Sequence, residues 1–134
     1  MIRILVTGSR NWTDYRKLSN EIGMYITEVC AMGFDSDGLP VDYDLSGVVI
    51  VHGGCKTGAD SMAGEWAAVN WCNEEIHPAD WMEYGKRAGY VRNQKMVDLG
   101  ANVCLAFVVG NSKGASMTIG LAERAGIEVR RFDA

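Results

Sequence analysis

The stretch Val48-Val49-Ile50-Val51-His52-Gly53-Gly54-Cys55-Lys56-Thr57-Gly58-Ala59-Asp60 runs from a β-branched apolar segment through a glycine-rich polar loop into a helical pattern, Ala59, Met62, Ala63, Trp66 and Ala67. The apolar run is too short for a core helix and does not alternate with polar residues. That is what a parallel strand covered by helices on both faces requires. Residues 2–6 and 103–109 repeat the pattern, each an apolar run that empties into glycine: Gly8-Ser9-Arg10 in one case, Gly110-Asn111-Ser112-Lys113-Gly114-Ala115-Ser116 in the other.

Two weaker strands are read at 75–77 and 127–132. Between the strands lie apolar residues at helical spacing. One set is Leu18, Ile22, Tyr25, Ile26, Val29 and Met32, closed by Gly33; another is Ala88, Val91, Met96 and Leu99 before Gly100; a last one is Ala115, Ile119, Ala122 and Ala125 before Gly126. Strands alternating with helices, joined by right-handed crossovers, predict an α/β fold. The expectation is a single Rossmann-like three-layer domain over residues 1–134. Its parallel sheet of about five strands has the order 3-2-1-4-5 and helices on both faces. The switch point falls between the strands starting at Ile2 and Val103.

A chain of 134 residues fits one core, and 48% hydrophobic with 22% charged residues is a globular composition. The net charge of -4 argues against a surface that neutralises a run of phosphates, so nucleic acid is not the expected partner. Cys30, Cys55, Cys72 and Cys104 form no CxxC pair and read as reduced core thiols of a cytoplasmic protein. The N-terminus lacks a signal h-region and no apolar run reaches membrane-spanning length, so neither secretion nor membrane insertion is expected. The long connection, 34–46, carries Asp35, Asp37, Asp42 and Asp44 and reads as a solvated acidic loop, since its glycine and missing glutamate do not fit a calcium loop.

In an open α/β sheet the ligand crevice lies at the carboxyl ends of the strands beside the switch point, where all three glycine loops would meet. Glycine lets backbone N–H groups approach an anion, and the helix N-terminus behind it adds donors and a positive dipole end. For any one loop, simple chain turning explains the glycines equally well; three in one small chain favour a site. Gly53 and Gly58 have P-loop spacing, but Ala59-Asp60 replaces the Lys-Ser/Thr pair, and Gly8-Ser9-Arg10 is no GxGxxG. ATP hydrolysis and ordinary NAD chemistry are disfavoured, and no cofactor is called for.

Arg10, Lys56, Arg92 and Lys113 can supply positive charge, an arginine clamping phosphate through two parallel hydrogen bonds. Arg92 near a helix start works against the dipole, which points to an anion nearby or to a solvated surface. Asp60 reads either as a first-turn carboxylate or as a hydrogen-bond acceptor for ribose or base. Trp12 and Trp81 read as core or as stacking platforms. His52 reads as a strand-end histidine, and with His77 the only other one, no zinc site is expected.

Five segments taken together resemble one family: Ile4-Leu5-Val6-Thr7-Gly8-Ser9-Arg10; Val51 through Asp60; Pro78-Ala79-Asp80-Trp81; Gly89-Tyr90-Val91-Arg92-Asn93-Gln94-Lys95-Met96; and Lys113-Gly114-Ala115-Ser116. In order and over nearly the whole chain, they are similar to the YspA-like, cpYpsA-related branch of the SLOG superfamily, frequent in bacteria and their phages. That group also includes the Lonely Guy phosphoribohydrolases and the DNA-processing protein DprA. The resemblance implies a ligand class, nucleotides and nucleotide-derived signals, and the superfamily habit of homodimers.

The phosphoribohydrolases carry a PGGxGTxxE loop and an arginine in an Arg-Lys-x-x-Met segment. Arg92 and Met96 match the second pattern and Gly114 the first, but Ala115 replaces the threonine and Thr118 the glutamate. Glycosidic cleavage loses its obvious carboxylate, leaving Arg92, Asp60 and Glu65 as catalytic candidates. The expected ligand residues are Gly8, Ser9, Arg10, Gly53, Gly54, Gly58, Ala59, Asp60, Arg92, Asn93, Lys113, Gly114, Ala115 and Ser116. The expected function is a nucleotide-binding sensor or accessory protein; a phosphoribohydrolase is the alternative and a single-stranded DNA accessory protein the third reading.

Overall fold

The computed structural model describes residues 1–30, 36–37 and 45–134. Its strands are β1 (Ile2–Gly8), β2 (Val48–His52), β3 (Asn73–Ile76), β4 (Val103–Val108) and β5 (Glu128–Asp133). Its helices are α1 (Tyr15–Val29), α2 (Ala59–Val69), α3 (Trp81–Tyr84), α4 (Ala88–Asp98) and α5 (Lys113–Arg124). The sheet is wholly parallel, in the order β3-β2-β1-β4-β5, with Ile4 opposite Ile50 on one side and Gly8 opposite Phe107 on the other. This is the expected Rossmann-like α/β arrangement and strand order.

The three apolar runs are the inner strands, and every residue of β2 and β4 is buried. Successive side chains leave a strand on opposite faces, so one run feeds two cores. Ile4, Val6, Ile50, Leu105 and Phe107 pack under α1 and α2 with Leu18, Ile22, Ala63 and Trp66. Leu5, Val49, Val51 and Cys104 pack on the other face against Met96 and Val97 of α4 and Leu121 and Ala122 of α5. Each fully buried aliphatic side chain contributes roughly 1.5–3 kcal/mol relative to exposure, which is why such continuous runs end up at the centre of the sheet.

The edges differ from the sequence reading. β3 is Asn73–Ile76 rather than 75–77: an edge strand whose side chains are mostly exposed carries little hydrophobic signal, and its register comes from backbone pairing with β2. β5 runs from Glu128 rather than Ile127. A four-residue helix, α3, and a 3-10 turn at Gly85–Arg87 precede α4, beyond the elements the pattern predicts; Asp80 starts α3 by accepting the Glu83 N–H at 3.0 Å. Met32, Gly33, Asp35, Asp42 and Asp44 lie outside the described residues. Among the described residues, no helix is long and apolar enough to cross a membrane, and no group of His, Cys, Asp and Glu could hold a metal ion.

Candidate functional site

After β1 the chain turns to one face of the sheet, and after β4 it turns to the other. A crevice must open between the two departures. It has a volume of about 370 Å³ and is lined from the β1 end by Gly8, Ser9, Arg10 and Asn11, and from the β4 end by Asn111, Ser112 and Gly114. Cys55 and Asp60 close it from the β2–α2 side, and Arg92, Asn93 and Met96 from α4.

Backbone packing holds these loops in register. Ser9 extends the β1–β4 ladder, its N–H donating to Phe107 O at 2.9 Å, and its hydroxyl accepts the Val109 N–H at 2.9 Å. Ser9 is buried, so its side chain ties the two loop origins together. Gly58 has a φ of +78°, and a Cβ there would stand 2.2 Å from Ser9 O and 2.5 Å from Arg10 Cα. Ala59 N–H donates to the same Ser9 carbonyl at 3.3 Å. The β1–α1 and β2–α2 loops are thus joined backbone to backbone.

His52, at the end of β2, is buried and orients the next loop. The Gly54 N–H donates to its Nδ1 at 3.0 Å, which makes that nitrogen the acceptor; Nε2 therefore carries the proton and donates to the Glu74 carboxylate at 2.6 Å. Beside it on β3, Glu75 accepts two hydrogen bonds from Arg3, at 3.0 and 2.7 Å, and one from His77 Nε2 at 2.7 Å. The Arg3 hydrogen bonds, then that of His77, hold the Glu75 carboxyl down at about 2. This fixes the β3 end, whose His77 carbonyl accepts from Arg92 Nη1 at 3.5 Å.

Arg92 lies on the second turn of α4. Its Nη1 donates to Gly53 O at 2.7 Å and its Nε to Asn93 Oδ1 at 2.7 Å. A Cβ on Gly53 would stand 2.3 Å from Nη1, so the absent side chain is what lets the guanidinium lie against the loop. Arg3, Arg130 and Arg131 are each ion-paired; among the described residues neither Arg10 nor Arg92 has a carboxylate within ion-pair distance. Asp60 is buried, and its Oδ2 accepts the Cys55 N–H at 3.2 Å. Burial first, and Asp60 second, push the Cys55 thiol up, so it stays protonated at neutral pH.

The predicted residues divide. Gly8, Ser9, Arg10, Asp60, Arg92, Asn93 and Gly114 meet at the crevice; Gly53 and Gly54 line an adjoining hollow, and Gly58 and Ala59 brace the loops. Lys113, Ala115 and Ser116 do not line it: the first turn of α5 carries Ala115 into the core and exposes the other two. Glu65 is exposed on α2, near Tyr15 and away from the crevice. Thr118 is fully buried, its hydroxyl donating to Gly114 O at 3.2 Å, so Asp60 is the one carboxylate lining the crevice among the described residues.

Trp12 is core, 5.3 Å from the Phe107 ring with Nε1 donating to Asp14 O at 2.9 Å, whereas Trp81 is exposed. The four cysteines are free; burial pushes Cys104 up to about 12, but Cys55 lines the crevice instead of the core. Sequence reasoning missed Asn11, Asn111 and Ser112 as lining residues. Asn11 follows Arg10 directly, and the Ser112 hydroxyl accepting from Ala115 N–H is a helix cap legible from its position before α5.

These features define a Rossmann-like domain with a polar, arginine-bearing crevice at its switch point. Residues 41–84 match the model of the YspA, cpYpsA-related SLOG family. The Gene 61 protein of Mycobacterium phage D29 is 37% identical over 140 aligned positions, which cover 98% of this chain and 97% of that protein. The chain belongs to the YspA, cpYpsA-related SLOG family. The matched span includes His52, the Gly53–Gly58 loop and Asp60, and excludes Arg10, Arg92 and Asn111. No solved structure matches the chain significantly.

Proposed function

We propose that the crevice binds a nucleotide or nucleotide-derived small molecule whose phosphate lies between Arg10 and Arg92, and that the chain acts as a sensor or accessory protein. The observation that carries this reading is the pair of arginines with no carboxylate partner among the described residues, in a crevice that also holds the α5 N-terminus. Arg10 can offer phosphate two parallel donors and Arg92 its Nη2, since its Nε and Nη1 are held by Asn93, Gly53 and His77, and the helix end adds backbone N–H groups. Asp60 sits in the first turn of α2 and repels an anion there, so it suits a ribose hydroxyl better than a phosphate.

Among the described residues a phosphoribohydrolase reading is left with Asp60 as its one carboxylate at the crevice, because Thr118 stands in place of the glutamate and Glu65 lies elsewhere. The phosphoribohydrolase loop carries its glutamate at the position of Thr118 on α5, whereas Asp60 lies on α2 and accepts the Cys55 N–H. Binding therefore accounts for the site better than cleavage. A thermal-shift screen of nucleoside monophosphates, cyclic nucleotides, NAD and ADP-ribose tests both readings. Saturating ligand stabilises by roughly 3–4 kcal/mol, and Arg92→Ala removes that shift. A screen in which nothing raises the melting temperature overturns the binding reading; free base released from a monophosphate, seen by chromatography, restores the hydrolase.

A further inference from the structure

The crevice does not end at the arginines. A second hollow of about 350 Å³ lies beyond them, lined by Gly54, Lys56, Thr57, Pro78, Ala79 and Trp81, and it shares Arg10, Cys55 and Arg92 with the first. Arg10 and Arg92 therefore stand where the two hollows meet, with a lobe on either side. Each lobe alone is near the lower limit of the roughly 300–1,000 Å³ typical of small-molecule sites.

The lobes differ in chemistry. The first carries Asn11, Asn93, Asn111, Ser112 and Asp60, a set of donors and acceptors suited to hydroxyl groups. The second is flanked by Pro78, Ala79 and Trp81, and Trp81 is 56% exposed despite its size. Its position is set: the Asp80 cap starts the helix that carries it, and its Cη2 would lie 3.9 Å from a Cβ on Gly89. A large indole held beside a hollow is a stacking platform for a flat ring.

Resting on the proposed nucleotide-binding reading, we infer that the ligand is two-headed. A phosphodiester or pyrophosphate in its middle lies between Arg10 and Arg92, an aromatic base stacks on Trp81 in the second lobe, and a hydroxyl-rich sugar or second nucleoside fills the first. The ligand class is dinucleotides and sugar-linked nucleoside diphosphates. A mononucleotide fills the meeting point of the two hollows and one lobe only.

Isothermal titration of the full chain with AMP, ADP-ribose and the dinucleotide ApA tests this, using wild type, Trp81→Ala and Asn111→Ala. Both substituted residues are exposed, and a thermal melt of each variant checks that the fold is kept. At least one two-headed compound binds roughly tenfold or more tighter than AMP. Trp81→Ala weakens AMP and the two-headed compound alike, about tenfold. Asn111→Ala weakens the two-headed compound by a larger factor than it weakens AMP, which does not fill the first lobe. AMP binding as tightly as both larger compounds, or Kd values indifferent to Trp81→Ala, overturns the two-headed ligand while leaving a nucleotide site in place. No binding by any of the three overturns both.

Discussion

The two strand-to-helix turns that frame the crevice look alike in sequence, each a glycine-bearing polar loop opening a helix, yet their glycines answer to different constraints. In the β2–α2 loop, Gly53 lies against Arg92, Gly54 has a φ of +76° with Ile76 close by, and Gly58 lies against the Ser9–Arg10 backbone. In the β4–α5 loop, Gly110 needs its positive φ of +59°, but for neither it nor Gly114 does a described residue beyond the adjoining chain come within 4 Å of where a Cβ would stand. One loop is locked into neighbouring loops and side chains. The other is an exposed rim, free to meet a ligand.

Gly58→Ala gives the largest expected effect. The substitution combines a left-handed φ with a collision against main chain that cannot swing aside, and the cost is about 3 kcal/mol. That corresponds to a melting temperature lower by on the order of 10 °C. A shift of only a degree or two shows that the two loops are not joined as described.

Gly53→Ala separates binding from folding. Here the two nearest atoms are the far end of the Arg92 side chain, which rotates away without disturbing the backbone, and the third, Asp60 Oδ2 at 3.0 Å, needs to give by only a few tenths of an ångström. Stability changes by less than about 1 kcal/mol, while nucleotide affinity falls roughly tenfold or more because the guanidinium leaves its place on Gly53 O. Equal losses in both measurements make Arg92 a structural brace and not a ligand clamp.

What the sequence made legible follows the same division. The strand order and three inner strands could be read because burial on both faces demands uninterrupted hydrophobicity, visible in residues 48–51 without any partner. The edge strand Asn73–Ile76 carries two glutamates and leaves its register to backbone pairing, so local pattern placed it two residues late. Arg92 could be suspected from its place in a helix and from family resemblance. Its contact with Gly53, 39 residues away, belongs to the tertiary fold. The sequence pattern makes the whole Lys113–Ser116 segment ligand-contacting, but a helix turns its side chains around the axis, and only Gly114 of the four faces the crevice. Trp12 and Trp81 have the same side chain and admit the same two roles in sequence; only packing against Phe107 assigns the first to the core.

Gly114→Ala is the smallest expected effect and has the opposite sign. Gly114 is the second residue of α5, its φ is not in the left-handed region, and the space around it is open. Alanine there restricts the unfolded chain and favours the helix, for a gain of about 0.5–1 kcal/mol, read as a melting temperature a few degrees higher. The same variant reports on the ligand. If the bound phosphate or sugar lies against the α5 N-terminus, the added methyl blocks its approach and affinity falls while stability rises; if affinity is unchanged, the arginines hold the ligand without that helix end. A loss of stability instead removes the distinction between the locked loop and the rim.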